Sequence, residues 1–220
     1  MAVTIDEITL SGDPARWAAL GFSVTDGTLR LGEITVRFAQ PRAGRGLLGW
    51  SLRGAADTAL DGLPTTLSTQ PPTAKAAGAH ANHVIAIDHI VAMSPDLART
   101  VDALQRAGLD LRRVRDEPTP AGAPRQAFFR LGREILEVVQ EPNEAVARAG
   151  DPNRPARFWG LALLAEDIEL AAAAFGPRIG TIRAAVQPGR RIATVDRAAG
   201  LSVPVALMSR DERGSRTTEL

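Results

Sequence analysis

The stretch that decides the fold is AIDHIVAMSPDLARTVDALQRAGL, residues 86–109. Its first part belongs to an apolar run over residues 84–92 that predicts a strand. Ser94-Pro95-Asp96 predicts a helix start, with Ser94 as the N-cap, Pro95 at the first helical position and Asp96 facing the helix dipole. Leu97, Val101 and Leu104 then share one helical face, and Gly108 suits a left-handed C-terminal cap. The stretch therefore predicts a strand followed by a helix.

Three extended segments follow this helix, at residues 109–115, 126–131 and 134–140. Prolines and glycines of residues 117–124 separate the first two, and Gly132 separates the last two. The order strand, helix, strand, strand, strand defines a βαβββ module.

The same order recurs at residues 158–208. A strand at 158–164 precedes the acidic pair Glu166 and Asp167, a helix with Ile168, Ala171 and Phe175 on one face, and Gly176. Strands are predicted at 178–186, 191–196 and 201–208. Gly108 precedes Glu137 by 29 residues, and Gly176 precedes Ala206 by 30, so Ala206 aligns with Glu137.

A compressed third copy occupies the N-terminal part of the chain, with strands predicted at 4–10, 22–25, 28–31 and 33–39 and a helix opened by Asp13-Pro14. An extra strand at 47–52 is either a single addition or part of a decayed fourth module. The predicted organisation is an N-terminal module plus strand (1–64), a linker (65–82), paired modules (83–142 and 155–210) and a polar tail (211–220). The alternative is an ordinary α+β domain whose helix starts are alike only through general capping preferences.

Two adjacent βαβββ modules, one opened by AIDHIV and closed by FFRLGREILEVVQEP (residues 128–142), resemble the vicinal-oxygen-chelate superfamily. Its members include glyoxalase I, extradiol dioxygenases and bleomycin-resistance proteins. The resemblance covers residues 84–209 well and residues 3–40 weakly. It implies an α+β fold in which tandem modules curl a mixed sheet into a cup, with metal ligands on the first and last strands of a module. His89 and Glu137 match those two positions.

An imidazole nitrogen and a carboxylate oxygen suit Fe, Mn, Ni or Zn. The positions of the later module that align with His89 and Glu137 are Gly160 and Ala206, which offer no side-chain ligand. The metal site is therefore incomplete, and the chain holds one divalent ion or none. His80 and His83 lie close in sequence, but His83 and His89 stand about 20 Å apart along one extended strand, and only a loop folding back would bring His80 near.

His89 and Glu137 are also the catalytic candidates. For His89 the alternative is a histidine satisfied by ordinary hydrogen bonds. Glu137 shares a strand face with Ile135 and Val139, where an unpaired carboxylate is costly, so it is either functional or in a salt bridge with an arginine. Candidate ligand-binding residues on strands are Trp159, Arg130 and Arg191. Trp159 and Trp50 suit stacking on a ligand, although core packing is the commoner role. Arg130, Arg183 and Arg191 are the arginines that offer a salt bridge to Glu137. Glu7 and Arg37 align with His89 and Glu137 in the first copy and predict a structural salt bridge.

Composition narrows the function further. The net charge is +1 with scattered basic residues, which argues against nucleic acid as a partner. Cysteine is absent, which excludes disulfides and thiol nucleophiles. Asp6 and Glu7 argue against a signal peptide, and no apolar run is long enough for a membrane span, so a cytoplasmic location is expected. Phosphate-binding, dinucleotide and nucleophile-elbow motifs are missing.

Two functions remain in view. The first is a metal-free or weakly metal-binding protein that holds a small organic molecule in the cup, as the resemblance to bleomycin-resistance proteins implies. The second is a divalent-metal-dependent lyase, isomerase or dioxygenase that uses His89 and Glu137. An odd number of modules also predicts a homodimer, because each module leaves a sheet edge that needs a partner.

Overall fold

A computed structural model describes residues 2–39, 46–72, 79–119 and 122–211. The N-terminal elements are β1 (Thr4–Ser11), α1 (Pro14–Ala18), β2 (Thr28–Leu31), β3 (Ile34–Ala39), β4 (Leu47–Arg53) and β5 (Thr65–Leu67). They form a five-stranded sheet in the order β2-β3-β1-β4-β5. The parallel pairing of β4 with β5 places a first and a last strand side by side, as in a reduced fourth module.

Two features of this region differ from the prediction. Residues 22–25 form no strand, because the Phe22 N–H bonds to the carbonyl of Trp17 at the end of α1 and Thr25 makes only an isolated bridge to Thr28. The stretch predicted as a linker contains the strand β5. This strand has only three residues and no clear alternation of polar and apolar side chains, so the sequence did not predict it. Residues 73–78 of that stretch and 212–220 of the predicted tail lie outside the described residues.

The second module consists of β6 (Val84–Ser94), α2 (Leu97–Arg106), β7 (Asp110–Arg115), β8 (Gln126–Leu131) and β9 (Glu134–Gln140). The prediction of Ser94 as the N-cap is wrong. Ser94 still pairs with Gln140 at the end of β6, and Asp96 caps α2 by accepting the backbone N–H of Arg99 at 3.1 Å. The Ser94 hydroxyl instead bonds to the Asp96 N–H and to Thr100.

The last module follows a short helix that the sequence did not predict, α3 (Asn143–Arg148). It contains β10 (Arg157–Ala165), α4 (Ile168–Phe175), β11 (Arg183–Ala184), β12 (Arg191–Thr194) and β13 (Val205–Met208). Its last three strands are shorter than predicted: the first is reduced to Arg183–Ala184, with residues 176–178 in a 3₁₀ turn and Ile179 in an isolated bridge to Val195. The two modules form one eight-stranded sheet in the order β11-β12-β13-β10-β6-β9-β8-β7. The predicted α+β fold of tandem βαβββ modules is confirmed.

The described chain divides into two compact units. Unit 1 contains the described residues of Met1–Thr9, Leu47–Pro72 and His89–Gly160, and unit 2 those of Leu10–Gly46, Thr73–Asp88 and Leu161–Leu220. In unit 1, α2 packs on β7, β8 and β9. The fully buried side chains of this layer include Ile90, Leu104, Phe129, Leu136 and Val138. Within the described residues, no helix is long and apolar enough to cross a membrane.

Candidate functional site

Strand register places His89 and Glu137 on one face of the sheet in unit 1. In the parallel pair of β6 and β9, His89 lies opposite Ile135 and Val91 lies opposite Glu137. Side chains two residues apart on a strand point to the same face, so His89, Val91 and Glu137 project together. This is the face opposite the one that carries the buried Leu136 and Val138.

The two side chains are within reach of each other. His89 Nε2 lies 3.5 Å from Glu137 Oε2, and the side chains are only 13% and 14% exposed. A carboxylate so poorly hydrated needs polar partners. Glu137 has a further one in Gln126, whose amide Nε2–H donates to Glu137 Oε1. We refer to His89, Gln126 and Glu137 as the polar cluster.

Gln126 is the functional candidate that reasoning from the sequence missed. It lies on β8 opposite Val139, two residues before Phe128, which pairs with Glu137. The signal was present in the hairpin: the two-residue connection at Gly132 sets the register of β8 against β9 and puts Gln126 diagonal to Glu137 on the same face. Gln126 is 8% exposed, and its carbonyl Oε1 is buried without a hydrogen-bond partner among the described residues.

Apolar side chains border the polar cluster. Val91, Ala123 and Val139 form a small buried group of their own, and Met93 packs against it. Val139 is the sheet partner of both Met93 and Gln126, so this group lies directly beside the polar cluster. A few convergent polar groups next to an apolar surface are typical of small-molecule sites.

The equivalent positions of the last module carry no polar side chains. In β10 and β13, Ala162 pairs with Ala206, as Val91 pairs with Glu137. Gly160 precedes Ala162 by two residues, as His89 precedes Val91. The register thus agrees with the alignment from the sequence.

The residues predicted to bind a ligand lie in different surroundings. Arg130 is on the same face of β8 as Gln126 but is exposed, and its guanidinium donates to the Arg133 carbonyl at 3.3 Å. Trp159 is 47% exposed, on β10. Arg191 belongs to unit 2 and makes an ion pair with Glu169. The structure does not bring these three residues into the polar cluster.

The remaining aromatic and arginine candidates have other surroundings. Trp50 is buried, donates to Thr65 at 2.7 Å and packs edge-on against Phe158 with ring centroids 5.0 Å apart. Its contacts are those of a core residue. Arg183 is exposed in the short strand β11 of unit 2.

His80 and His83 do not join the polar cluster. His80 is buried in unit 2, where its Nδ1 accepts the Ser23 backbone N–H at 3.0 Å and its Nε2 lies 2.8 Å from the Arg30 carbonyl. An accepting Nδ1 fixes the neutral tautomer with the proton on Nε2. Burial lowers the pKa of His80, although the hydrogen bond to the Arg30 carbonyl acts in the opposite direction. His83 uses its backbone carbonyl to accept the Glu166 N–H at 2.9 Å.

The donor atoms of the polar cluster suit a divalent cation. Ligands that lie about 2.1 Å from one ion stand about 3.0 to 3.4 Å apart, close to the separation of His89 Nε2 and Glu137 Oε2. The described residues contain no group of three or more His, Cys, Asp or Glu side chains able to hold a metal ion. A third protein donor among these residues would therefore be of another type, and the carbonyl of Gln126, which has no partner among them, is one.

The fold is shared with solved structures of low sequence identity. A triple mutant of 4-hydroxymandelate synthase from Streptomyces coelicolor matches with a TM-score of 0.64 and 13% identity, over 94% of this chain and 92% of that one. A xylose isomerase-like TIM barrel/4-hydroxyphenylpyruvate dioxygenase fusion protein matches with a TM-score of 0.60 and 14% identity, over 98% of this chain and 52% of that one.

A shorter structure, methylmalonyl-CoA epimerase from Mycobacterium tuberculosis, matches with a TM-score of 0.48 and 18% identity, over 63% of this chain and all of that one. No protein-family model matches the sequence, and no curated protein matches it significantly. At these identities the likeness concerns the fold. The fold that the predicted resemblance implies is confirmed.

Proposed function

We propose that the chain binds a small organic molecule on the inner face of the unit 1 sheet, where the polar cluster meets the apolar group of Val91. The observation that carries the proposal is the approach of His89 and Glu137 to 3.5 Å on a face that is largely shielded from water. Burying a carboxylate costs stability unless it performs a task or is fully paired.

The chain's own residues provide an acid–base pair. Gln126 holds one oxygen of Glu137 by a hydrogen bond, which leaves the other oxygen directed toward His89. In this position the ring nitrogen of His89 that does not face Glu137 can accept a proton from a bound hydroxyl or from a carbon next to a carbonyl group, and the nearby carboxylate stabilises the imidazolium that results. Arg130, at the exposed end of the same face, is proposed to contact an anionic part of the ligand.

A second candidate function is a divalent-cation-dependent lyase, isomerase or dioxygenase. Donor chemistry favours it, because the cluster offers an imidazole nitrogen, a carboxylate and an amide carbonyl. His89 and Glu137 would hold the cation, which when bound supplies Lewis-acid activation of ligand oxygens. Wide use of a divalent metal in the superfamily supports this candidate. Gly160 and Ala206 oppose it, because the aligned positions of the last module offer no side-chain ligand.

Ligand binding can be tested by thermal shift with a panel of catechols, epoxides, hydroxy acids and thiol hemiacetals. A compound that binds at the polar cluster is expected to raise the melting temperature of the wild-type chain and to have no such effect on Glu137→Gln and His89→Ala. Glu144→Gln is the matched control, because Glu144 is exposed on α3. Equal stabilisation of all four proteins by every active compound would remove the polar cluster from the proposal.

Metal content separates the two candidates. Protein purified without chelator is assayed for transition metals by mass spectrometry. A stoichiometric metal that is lost in His89→Ala supports the cation-dependent function, and its absence even after reconstitution supports the metal-free binder. The homodimer and the cytoplasmic location stay predictions, the first of them open to light scattering at micromolar concentration.

A further inference from the structure

The strongest unexplained feature of the chain is the carbonyl of Gln126. Its Oε1 is one of two buried side-chain polar atoms without a hydrogen-bond partner among the described residues. An unsatisfied buried acceptor costs about 1–3 kcal/mol relative to a paired one. Such an atom calls for an explanation, and an absent ion or ligand group is one of the common explanations.

The position of the Gln126 amide favours a bound ion as the explanation for its unpaired carbonyl. Gln126 Nε2 donates to Glu137 Oε1, and Glu137 Oε2 faces His89, so the three side chains form a continuous row. Because carbonyl and N–H belong to one planar amide, Oε1 lies within one amide group of the carboxylate. The row therefore presents an imidazole nitrogen, a carboxylate and a neutral carbonyl, all of them electron-pair donors.

We propose that Gln126 is the third protein donor of a divalent-cation site whose protein ligands all come from the second module. This inference rests on the cation-dependent form of the proposed function. It accounts for the missing donors at Gly160 and Ala206, because a third donor on β8 makes a contribution from the last module unnecessary. An amide oxygen beside one nitrogen and one carboxylate suits a first-row divalent cation such as Co²⁺, Mn²⁺ or Zn²⁺.

Sheet geometry supports the assignment. The three residues lie on β6, β9 and β8, which are neighbours in that order. Adjacent strands are about 4.8 Å apart. Side chains from three neighbouring strands can therefore meet above the middle strand when the two outer side chains lean toward it. Glu137 on the middle strand contacts both outer side chains: Oε2 faces His89, and Oε1 accepts the amide N–H of Gln126, whose carbonyl belongs to the same planar group.

The test is titration of the full chain with Co²⁺ alone, followed by visible absorption and by isothermal calorimetry. Gln126→Leu is expected to weaken Co²⁺ binding by at least about tenfold, the lower end of the loss seen when a supporting group of a metal site is removed. Gln126→Glu, which keeps an oxygen donor, is expected to bind at least as tightly as the wild type. Gln105→Leu is the matched control, because Gln105 is exposed on α2.

The outcomes distinguish this inference from the function on which it rests. If the wild type binds no Co²⁺, both the cation site and the role of Gln126 are overturned, while metal-free ligand binding at His89 and Glu137 can still be measured. If Co²⁺ binding depends on His89 and Glu137 but is unchanged in Gln126→Leu, only the role of Gln126 is overturned. Should Gln126→Leu fail to fold, the absorption spectrum of the Co²⁺ complex decides: a change in Gln126→Glu supports direct coordination, and an unchanged spectrum contradicts it.

Discussion

The polar cluster makes an unusual prediction for stability: removing Glu137 and Gln126 together is less harmful than removing Glu137 alone. Glu137→Leu leaves both ends of the buried Gln126 amide without partners, since its carbonyl already has none. We expect this variant to lose about 1–3 kcal/mol, the cost of a newly orphaned buried polar group.

Gln126→Leu has opposing effects. It removes a hydrogen bond to a carboxylate, worth about 1.5–3 kcal/mol, and it also removes the unsatisfied carbonyl, which gives back about 1–3 kcal/mol. The Glu137 side chain is 14% exposed and close to His89, so it keeps some access to water and one polar neighbour. The net change is therefore expected to lie within about 1 kcal/mol of zero.

The double variant replaces the pair with two apolar side chains beside Val91 and Val139. Replacing both partners of a buried polar pair is often nearly neutral. We therefore expect it to be at least about 1 kcal/mol more stable than the sum of the single changes predicts, and to bind no Co²⁺.

Urea unfolding of the four proteins measures this coupling. Tryptophan fluorescence and circular dichroism should be followed together, because two units require a check that unfolding is a single transition. With a urea dependence of about 1–3 kcal/mol per molar, the coupling corresponds to a midpoint difference of about 0.3–1 M. Additivity of the two substitutions within about 0.5 kcal/mol would refute the reasoning, because contacting residues in a shared network are expected to couple.

Three further predictions concern the scaffold. Because the pKa of His80 is lowered in the folded chain, the unfolded chain binds this proton more readily. Stability should therefore fall as pH drops below about 6.5, by at most about 1.4 kcal/mol per pH unit. His80→Gln should flatten that slope in urea titrations between pH 5 and 7. Asp61→Ala should cost about 1.5–3 kcal/mol in urea unfolding, because the Arg99 guanidinium loses the carboxylate that it binds through Nε at 2.8 Å and through Nη2 at 3.2 Å but keeps the Arg154 carbonyl at 2.8 Å; a loss below about 0.5 kcal/mol would contradict this role. Gly132→Ala should lower the thermal midpoint by several degrees, since φ is +71° there and the added Cβ would lie 3.1 Å from Thr4 Cγ2; an unchanged midpoint would show that the turn relaxes freely.

The fold was predictable where alternation and turn residues agree. The bounds of β8 and β9 match the prediction, because both strands are rich in Phe, Val and Ile and Gly132 fixes the turn between them with φ of +71°. Gly108, predicted as a left-handed cap, has φ of +88°. Local chemistry decides such features, and the sequence displays it directly.

Elements set by non-local contacts were not predictable. The strand β5 has three residues and depends on the parallel register of Trp50 with Thr65. Ser94 looked like a helix cap, but the sheet extends β6 through it and passes the capping role to Asp96. In both cases the partner strand decides the conformation, and short windows of sequence do not contain that partner.

The candidate site was predictable in part for the same reason. His89 and Glu137 follow from the motif positions of the module, whereas Gln126 becomes relevant only when the hairpin register brings it beside Glu137. A polar residue on the inner face of a strand, two positions before the cross-strand neighbour of a catalytic candidate, is a pattern that can be searched for directly. Applied here, it selects Gln126 from β8 without knowledge of the coordinates.

The two modules of the large sheet have the same strand pairing but different side chains at the candidate site. Both keep the same parallel register between first and last strands, Val91 with Glu137 and Ala162 with Ala206, so the backbone does not distinguish them. Only the side chains differ, with a polar pair in module 2 and glycine and alanine at the matching positions of the last module. A buried carboxylate costs stability, so a copy that no longer takes part in binding is expected to replace it with a small apolar residue. The costly pair in the second module, together with a buried amide that is only half satisfied, is the physical argument for the binding that we propose on this face.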